Sequence, residues 1–539
     1  MIFRRILFAV FVSLLPVRSS VASPANENLI RVHWLGLKQV GADTNAAQLM
    51  KVWQLPQTAA LLAQTLDKLS RCPGHGATNA AGAAFRPLLD DLITSEFFLE
   101  VDVSTNSSLS AGGEGRGEVG RSLSPVTRHP SLFFAIRLPA DRANLWQTNL
   151  AAASAALAGS GTPHRIECAC AGDWTLVGAG LDKNILQTDF ATRIAAADSR
   201  FLPPATRHPS LSHPWLEADL NPALLVSSLS AGEADRGEVE KLFAINHQLS
   251  TISSLHLSLS GDAGNVHTLG VINFSRPLAT PLPPWQIPTN FIHGPLTSFA
   301  AVRGVAPWLA TMPAWQKLQF APAPDQAYLW AQTGAPYQTF FAAPLPAAGG
   351  QLAQLSLRLV QNVNPWLVTN ADGFFQWQGS PPGVVWHLFV IAPFLEPVQV
   401  HRQDFLLGGL YPLAVGDPRP PPAEFLRAVL GTPDLVYYQA EHTGPRLEDD
   451  LFITQMFQVI FQKNKLPPAA AAARWLKQIE PLLGDSATAV TRTGTRQLTL
   501  ARNSTTGLTA LELNLLADWL ESPQFPRGLH TFLAPPDKQ

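Results

Sequence analysis

Apolar and polar residues alternate in short runs along most of this chain, and the runs are separated by stretches of helical period. Leu29 to Leu35 predicts a strand, and 45–54 and 57–71 predict two helices broken at Pro56. A short helix follows over 86–94, with Pro87 in its first turn. Strands are expected at 97–103 and 133–138, a helix over 142–157, and a hairpin from 165–170 and 174–177. A helix over 183–197, a strand over 215–220 and a hairpin from 255–259 and 267–274 complete the first series. Residues 276–295 (RPLATPLPPWQIPTNFIHGP) then hold six prolines and predict a linker.

Beyond this run the pattern restarts. Strands are expected at 296–303, 327–331 and 338–343, a helix over 350–361, a hairpin from 398–400 and 405–408, a helix over 422–430 and a strand over 435–440. A helix over 451–461, a hairpin from 487 to 501 turning at Gly494 and a helix over 508–520 close the chain. The two series share their order of elements, at offsets near two hundred residues. The expected fold class is therefore α+β: two related units of mostly antiparallel sheet packed with helices, arising by tandem duplication. The expected units are 23–275 and 296–539.

Two segments break the periodicity. Ser107 to Leu132 reads SSLSAGGEGRGEVGRSLSPVTRHPSL. Its two parts recur in swapped order, TRHPSL at 206–211 and SSLSAGEADRGEVE at 227–240. They resemble translated copies of short repetitive elements found in some bacterial genomes. Loops 107–132 and about 203–240 are therefore expected to be in-frame insertions that carry no chemistry.

The N-terminus changes the expected location. Arg4 and Arg5 precede a twelve-residue apolar run, Ile6 to Val17, and Ser20-Val21-Ala22 places small residues before a cut after Ala22. That order is a secretory signal, and the run is shorter than the roughly 20 residues that span a bilayer. The mature chain has no other apolar run of that length. A periplasmic or secreted protein is expected, with no transmembrane segment. Cleavage removes Arg4, Arg5 and Arg18 and no acid, leaving 35 basic against 40 acidic side chains. The chain has no basic footprint for nucleic acid. Only 14% of its residues are charged, against 46% hydrophobic, which suits large cores and not disorder.

Candidate chemistry is sparse. Cys72, Cys168 and Cys170 are the three cysteines, and in an oxidising compartment Cys72 could pair with either of the others. With His75 they make a three-thiolate, one-imidazole set suited to zinc, though the spacing matches no zinc motif. Glu441 and His442, beside the acidic triplet Glu448-Asp449-Asp450, are the candidate acid–base pair. The triplet is read first as complementing the start of the helix over 451–461. Gly484-Asp485-Ser486 echoes an esterase triplet but opens a hairpin. His33 and His387 are read as partly buried structural histidines. No phosphate-binding or dinucleotide loop occurs, and no cofactor is expected. Six Trp-Leu pairs, three of them Pro-Trp-Leu at 214–216, 307–309 and 365–367, read as core or rim anchors before they read as ligand contacts.

The hairpins Gly172-Asp-Trp-Thr-Leu-Val-Gly178 and Asp404-Phe-Leu-Leu-Gly-Gly409, the stretch 437–447 and the tail 517–530 resemble a group of uncharacterised exported bacterial proteins with repeated β-α-β units. The resemblance implies an exported scaffold and lends no activity. The function expected is a non-enzymatic binding or envelope-associated protein, with an envelope or protein partner. The rivals are a periplasmic hydrolase with its site between the units and a carrier of an apolar ligand. The export signal predicts that the protein recovered after secretion begins at Ser23. N-terminal sequencing that finds Met1 retained contradicts it.

Overall fold

The structure is a computed structural model. It describes residues 27–71, 79–105, 128–158, 166–179, 214–222, 251–278, 282–333, 338–370, 373–380, 382–388, 391–412, 423–460, 470–522 and 525. The expected signal segment, the helix expected over 183–197 and most of the two proposed insertions lie outside these residues.

The chain is α+β and divides into two compact units. Among the described residues one holds 27–43 and 69–260, and the other holds 44–68 and 261–525. The first series of elements runs β1 (Glu27–Trp34), α1 (Leu37–Val40), α2 (Ala47–Trp53), α3 (Pro56–Arg71), α4 (Asn79–Thr94), β2 (Phe97–Thr105) and β3 (Arg128–Arg137). It continues with α5 (Ala140–Ala158), β4 (Ile166–Ala171), β5 (Trp174–Ala179), β6 (Leu216–Leu220), β7 (Ile252–Gly261) and β8 (Val266–Phe274). In the N-terminal unit the strands pair antiparallel in the order β4-β5-β3-β2-β1-β6-β7.

The second series runs β9 (Leu296–Arg303), α6 (Ala306–Thr311), α7 (Pro313–Leu318), β10 (Gln326–Gln332), β11 (Thr339–Pro344), α8 (Ala348–Arg358), a π-helical turn (Leu359–Val363) and α9 (Asn364–Asn370). Then come β12 (Phe374–Gly379), β13 (Pro382–His387), β14 (Phe394–Val400), β15 (Gln403–Gly409), α10 (Ala423–Leu430) and β16 (Leu435–His442). The chain ends in α11 (Thr443–Ile460), α12 (Ala471–Ile479), β17 (Asp485–Gly494), β18 (Gln497–Ser504) and α13 (Ala510–Glu521). The C-terminal sheet is antiparallel in the order β8-β18-β17-β16-β9-β10-β11-β15-β14-β13-β12.

Each sheet is assembled by one rule. Three successive strands form a meander, the next two add beside the third as a hairpin, and the sixth returns to the first with the seventh outside it. β1 to β7 obey the rule, and so do β9, β10, β11, β14, β15, β16 and β17. Among the described residues the hairpin β12–β13 has no counterpart in the first series.

The sheet of the C-terminal unit buries different chemistry on its two faces. β9 is buried at every position, as a central strand covered on both sides must be. One face of its unit packs Phe299, Tyr328, Trp330, Phe340, Phe405 and Leu407 against Trp285 and Phe425. The other carries α11, α12 and α13, whose Leu447, Trp475, Leu476 and Leu513 pack with Val52 and Leu61 of α2 and α3. Trp475 donates its indole N–H to Thr58 Oγ1 at 3.0 Å. In the N-terminal unit Phe134, Ile136 and Val177 pack on Trp146 and Leu88 from α5 and α4.

Four expectations change. The proline-rich run expected as a linker is packed where it is described. Gln326 Oε1 accepts from Gln286 N at 2.8 Å, Gln326 Nε2 donates to Pro284 O at 2.6 Å, and the Arg303 guanidinium lies 4.6 Å over the Trp285 ring. Prolines leave their carbonyls free to accept, and Arg303, bound also to Leu435 O and Pro433 O, uses one of them at Pro283. Second, α4 starts at Asn79, so Pro87 lies inside the helix. Third, α11 starts at Thr443, eight residues before the expected start. Pro445 falls in its first turn, where a missing N–H costs nothing. Glu448 to Asp450 therefore sit in the second turn and cannot complement the helix start. Fourth, Arg128 to Leu132, read as the end of an insertion, form the first half of β3 and pair with Val101 to Thr105.

This last pairing sharpens the insertion claim. Removing 107–126 leaves Asn106-Thr127 as a two-residue connection between paired Thr105 and Arg128, a length that hairpins favour. That deletion is expected to move the melting temperature by less than about 3 °C. Extending it through Leu132 removes ladder pairs and should lower the melting temperature by more than about 10 °C. Equal losses from the two deletions would contradict this assignment.

Candidate functional site

β16 reads Leu-Val-Tyr-Tyr-Gln-Ala-Glu-His, and its period of two sends Tyr437, Gln439 and Glu441 to one face and Tyr438, Ala440 and His442 to the other. Register extends the first face sideways: Glu441 lies opposite Ser486 on β17 and Ser298 on β9, and Gln439 lies opposite Thr488. Glu441 is almost wholly buried. Its Oε1 accepts the backbone N–H of Ala510 at 2.7 Å and its Oε2 accepts from Gln439 Nε2 at 2.7 Å. Gln439 Oε1 in turn accepts the Tyr437 hydroxyl.

Ala510 is the first residue of α13, so Glu441 supplies the acceptor that a helix N-terminus lacks. A capping box completes the end: Thr509 Oγ1 accepts from Glu512 N, and Glu512 Oε2 accepts from Thr509 N at 2.9 Å. Arg502 on β18 clamps Glu512 through two bonds of 2.6 and 2.9 Å and donates to Thr488 Oγ1 at 2.9 Å. Two polar chains, Glu441-Gln439-Tyr437 and Arg502-Thr488, thus fix the start of α13 to five residues of the sheet.

Burial raises the Glu441 carboxyl to about 7. The Ala510 N–H lowers it, the Asp450 charge raises it, and Arg446 and Gln439 lower it by less. Asp449 is raised to about 6, again chiefly by burial, against the opposing charge of Arg446. Burial also raises Tyr437. Asp450 pairs with Arg446 at 3.0 Å along α11, and Thr297 Oγ1 donates to Asp449 at 3.4 Å. Around Glu441, the hydroxyls of Thr443, Ser486 and Ser504 are buried with no protein hydrogen-bond partner.

His442 is not part of this face. It is exposed, with Nδ1 2.7 Å from Asp485 Oδ1. The register His442↔Asp485 and Glu441↔Ser486 puts Glu441 with Ser486 inside and His442 with Asp485 outside. The structure therefore does not bring Glu441 and His442 together, and it separates Ser486 of the Gly-Asp-Ser triplet from the nearby imidazole.

The N-terminal unit has a second polar face that the sequence analysis did not single out. Glu100, Arg31, Asp219 and His256 form one row across β2, β1, β6 and β7. Arg31 Nη2 donates to Glu100 at 3.3 Å, and His256 Nδ1 lies 2.9 Å from Asp219 Oδ1. His256 Nε2 is buried without a protein partner. The next row brings Phe98, His33, Glu217 and Ser258 together. His33 Nε2 meets Glu96 at 3.1 Å, and Arg137 meets the same carboxylate at 2.6 Å. Burial pushes Glu96 up, but the His33 and Gln39 hydrogen bonds and the Arg137 charge outweigh it and hold the carboxyl below its ordinary value. Polar residues at period two in 31–33, 217–219 and 254–260 were the available signal; the cross-strand neighbours were not.

Cys72 and His75 lie outside the described residues. Cys168 is half-buried and Cys170 exposed on β4, and Cys170 Sγ accepts from Gln147 Nε2 at 3.3 Å. Among the described residues no group of three or more His, Cys, Asp or Glu is placed to hold a metal. His387 is partly buried and stacks on Phe374 with centroids 5.0 Å apart. No helix among the described residues is long and apolar enough to cross a membrane. Protein-family models, curated proteins and solved structures contain no match to the chain.

The raised carboxyls set a pH dependence. The folded state holds the Glu441 and Asp449 protons to higher pH than the unfolded chain, whose values are 4.5 and 3.8. Their stabilisation is full below about pH 4 and is lost as pH rises through 6 and 7, on the order of 3 kcal/mol for Glu441. Unfolding in urea from pH 4 to pH 8 should show that decline. Glu441→Gln should remove about half of it and Glu441→Gln with Asp449→Asn most of it. A wild-type slope unchanged in both variants would contradict the assignment.

Proposed function

We propose that the chain is an exported, non-enzymatic binding or envelope-associated scaffold protein built from a duplicated α+β unit. The observation that carries this reading is how the buried ionisable side chains are used. Glu441, Arg502 and Glu512 hold the start of α13, and Arg31, Glu100, His33 and Glu96 pair across strands. Groups so engaged are not poised to move protons on a substrate.

The shared assembly rule supports the duplication, and a local match adds to it. Glu217-Ala218-Asp219 on β6 corresponds to Gln439-Ala440-Glu441 on β16, each sixth in its series. Asp219 lies opposite Arg31 and His256, and Glu441 opposite Ser298 and Ser486. The same backbone position is thus a carboxylate facing the first and seventh strands in both series. The signal at 4–22 and the resemblance to exported proteins support the location. A hydrolase built on Glu441 and His442 loses its support, because the two side chains leave opposite faces of β16.

In the Asp219–His256 pair the imidazole Nδ1 meets a carboxylate while its Nε2 is buried without a protein partner, so it belongs in the test. Purified 23–539 is expected to show no turnover of chromogenic ester, peptide or glycoside substrates beyond that of the His256→Ala and Ser486→Ala variants. Turnover that either substitution abolishes without loss of folding would overturn the non-enzymatic reading.

A further inference from the structure

Strand β4 of the N-terminal unit carries Cys168 and Cys170, and its period of two sends both thiols to one face. The register identifies that face. Cys168 lies opposite Val177 and Cys170 opposite Thr175, while Phe134 and Ile136 continue the same rows on β3. Helix α5 covers these rows. Cys168 packs half-buried against the cluster of Phe134, Val177 and Trp146, and Gln147 Nε2 donates to Cys170 Sγ at 3.3 Å. Ala169 between them is buried on the opposite face with Phe98, Phe133 and Leu176. Among the described residues β4 pairs with β5 alone, and Cys170 is exposed. One thiol thus stands at the wall of an apolar core, and its neighbour opens to solvent.

Geometry decides what two such thiols can hold. Successive residues on one face of a strand stand about 6.6 Å apart, two rises of about 3.3 Å. A disulfide needs Cβ atoms about 3.5–4.5 Å apart, so this pair cannot close one without breaking the strand. Two sulfurs across a single metal ion stand about 4.6 Å apart, twice a metal–thiolate bond of about 2.3 Å. Side chains that lean toward each other along the strand reach that separation with the backbone unmoved. The number of ligands then selects the metal. Zinc takes four in a structural site, and among the described residues no group of three or more His, Cys, Asp or Glu is placed to supply them. Soft thiolates select copper(I), an ion satisfied by two of them in line.

We infer that Cys168 and Cys170 form a two-coordinate site for copper(I). Binding exchanges two thiol protons for one ion and leaves an anionic bis-thiolate complex, with no electron transferred. The Gln147 amide supplies the donor that a ligating sulfur accepts. Phe134, Val177 and Trp146 exclude water from one side of the ion, and the exposed Cys170 leaves the other side open to a chelator that delivers or removes it. The site goes beyond the scaffold reading and uses none of the residues that hold α13.

The test is anaerobic titration of reduced, purified 23–539 with Cu(I) in competition with the chromophoric chelator bathocuproine disulfonate. A single ion should bind per chain, and X-ray absorption should show two sulfur neighbours. Cys170→Ser, at an exposed position, should weaken binding about a hundredfold or more at unchanged melting temperature, since even the outer-shell partners of a metal are worth roughly 10- to 100-fold. Gln147→Leu should weaken it about tenfold. Cys72→Ser should leave it unaltered. Copper held equally well by Cys170→Ser, or by Cys168→Ser with Cys170→Ser, overturns the assignment. Loss of copper in Cys72→Ser, or a third sulfur neighbour, overturns it in favour of a three-thiolate site. Zinc bound in preference to Cu(I) contradicts it as well.

Discussion

The carboxylate of Glu441 against the first amide of α13 is the interaction on which the C-terminal unit depends. A helix begins with donors that no residue of the helix can satisfy, and burying them unpaired is costly. α13 begins under the sheet, so it needs an acceptor there. Glu441 provides it, and Arg502, Glu512 and Thr509 bind the same turn from the other side. Burying a carboxylate is itself unfavourable. The raised value of Glu441 reflects that cost, and the helix end offsets only part of it.

This constraint explains why a protein with few charges places several of them inside. In the C-terminal unit the polar row lies beneath α13, whose start it holds in one orientation. Apolar packing alone tolerates repacking, whereas a hydrogen-bonded network accepts one register. In the N-terminal unit Arg31, Asp219 and His256 cross three strands in the way that Ser298, Glu441 and Ser486 do in the other. The residues differ and the positions correspond.

Much of the fold was legible because sheet faces and helix stripes impose their periods locally. β1, β9, β16, β18 and α13 follow directly from alternation or helical spacing. The failures have physical reasons. The helix expected from 451 begins at Thr443, because Pro445 sits in the permissive first turn of α11. Phe374 to His387 hides a hairpin, because Gln, Gly and Pro interrupt its alternation and β12 is exposed on both faces. The proline-rich run reads as a spacer, yet its carbonyls and Trp285 serve Arg303 and Gln326. The polar faces were the hardest to foresee. Glu441 and His442 read as a pair in sequence, but adjacent strand residues face apart, and the partners of Glu441, Ala510 and Gln439, are set by tertiary packing and by the strand's own period of two.

Exchange of the Ala510 amide hydrogen tests the structural role of Glu441 most directly. An N–H in the first turn of a helix ordinarily exchanges fast, because it has no acceptor within the helix. With Glu441 in place, Ala510 should exchange as slowly as the middle of α13, and Glu441→Ala should speed it by more than about tenfold. An Ala510 amide that exchanges fast in the unaltered protein would contradict the account.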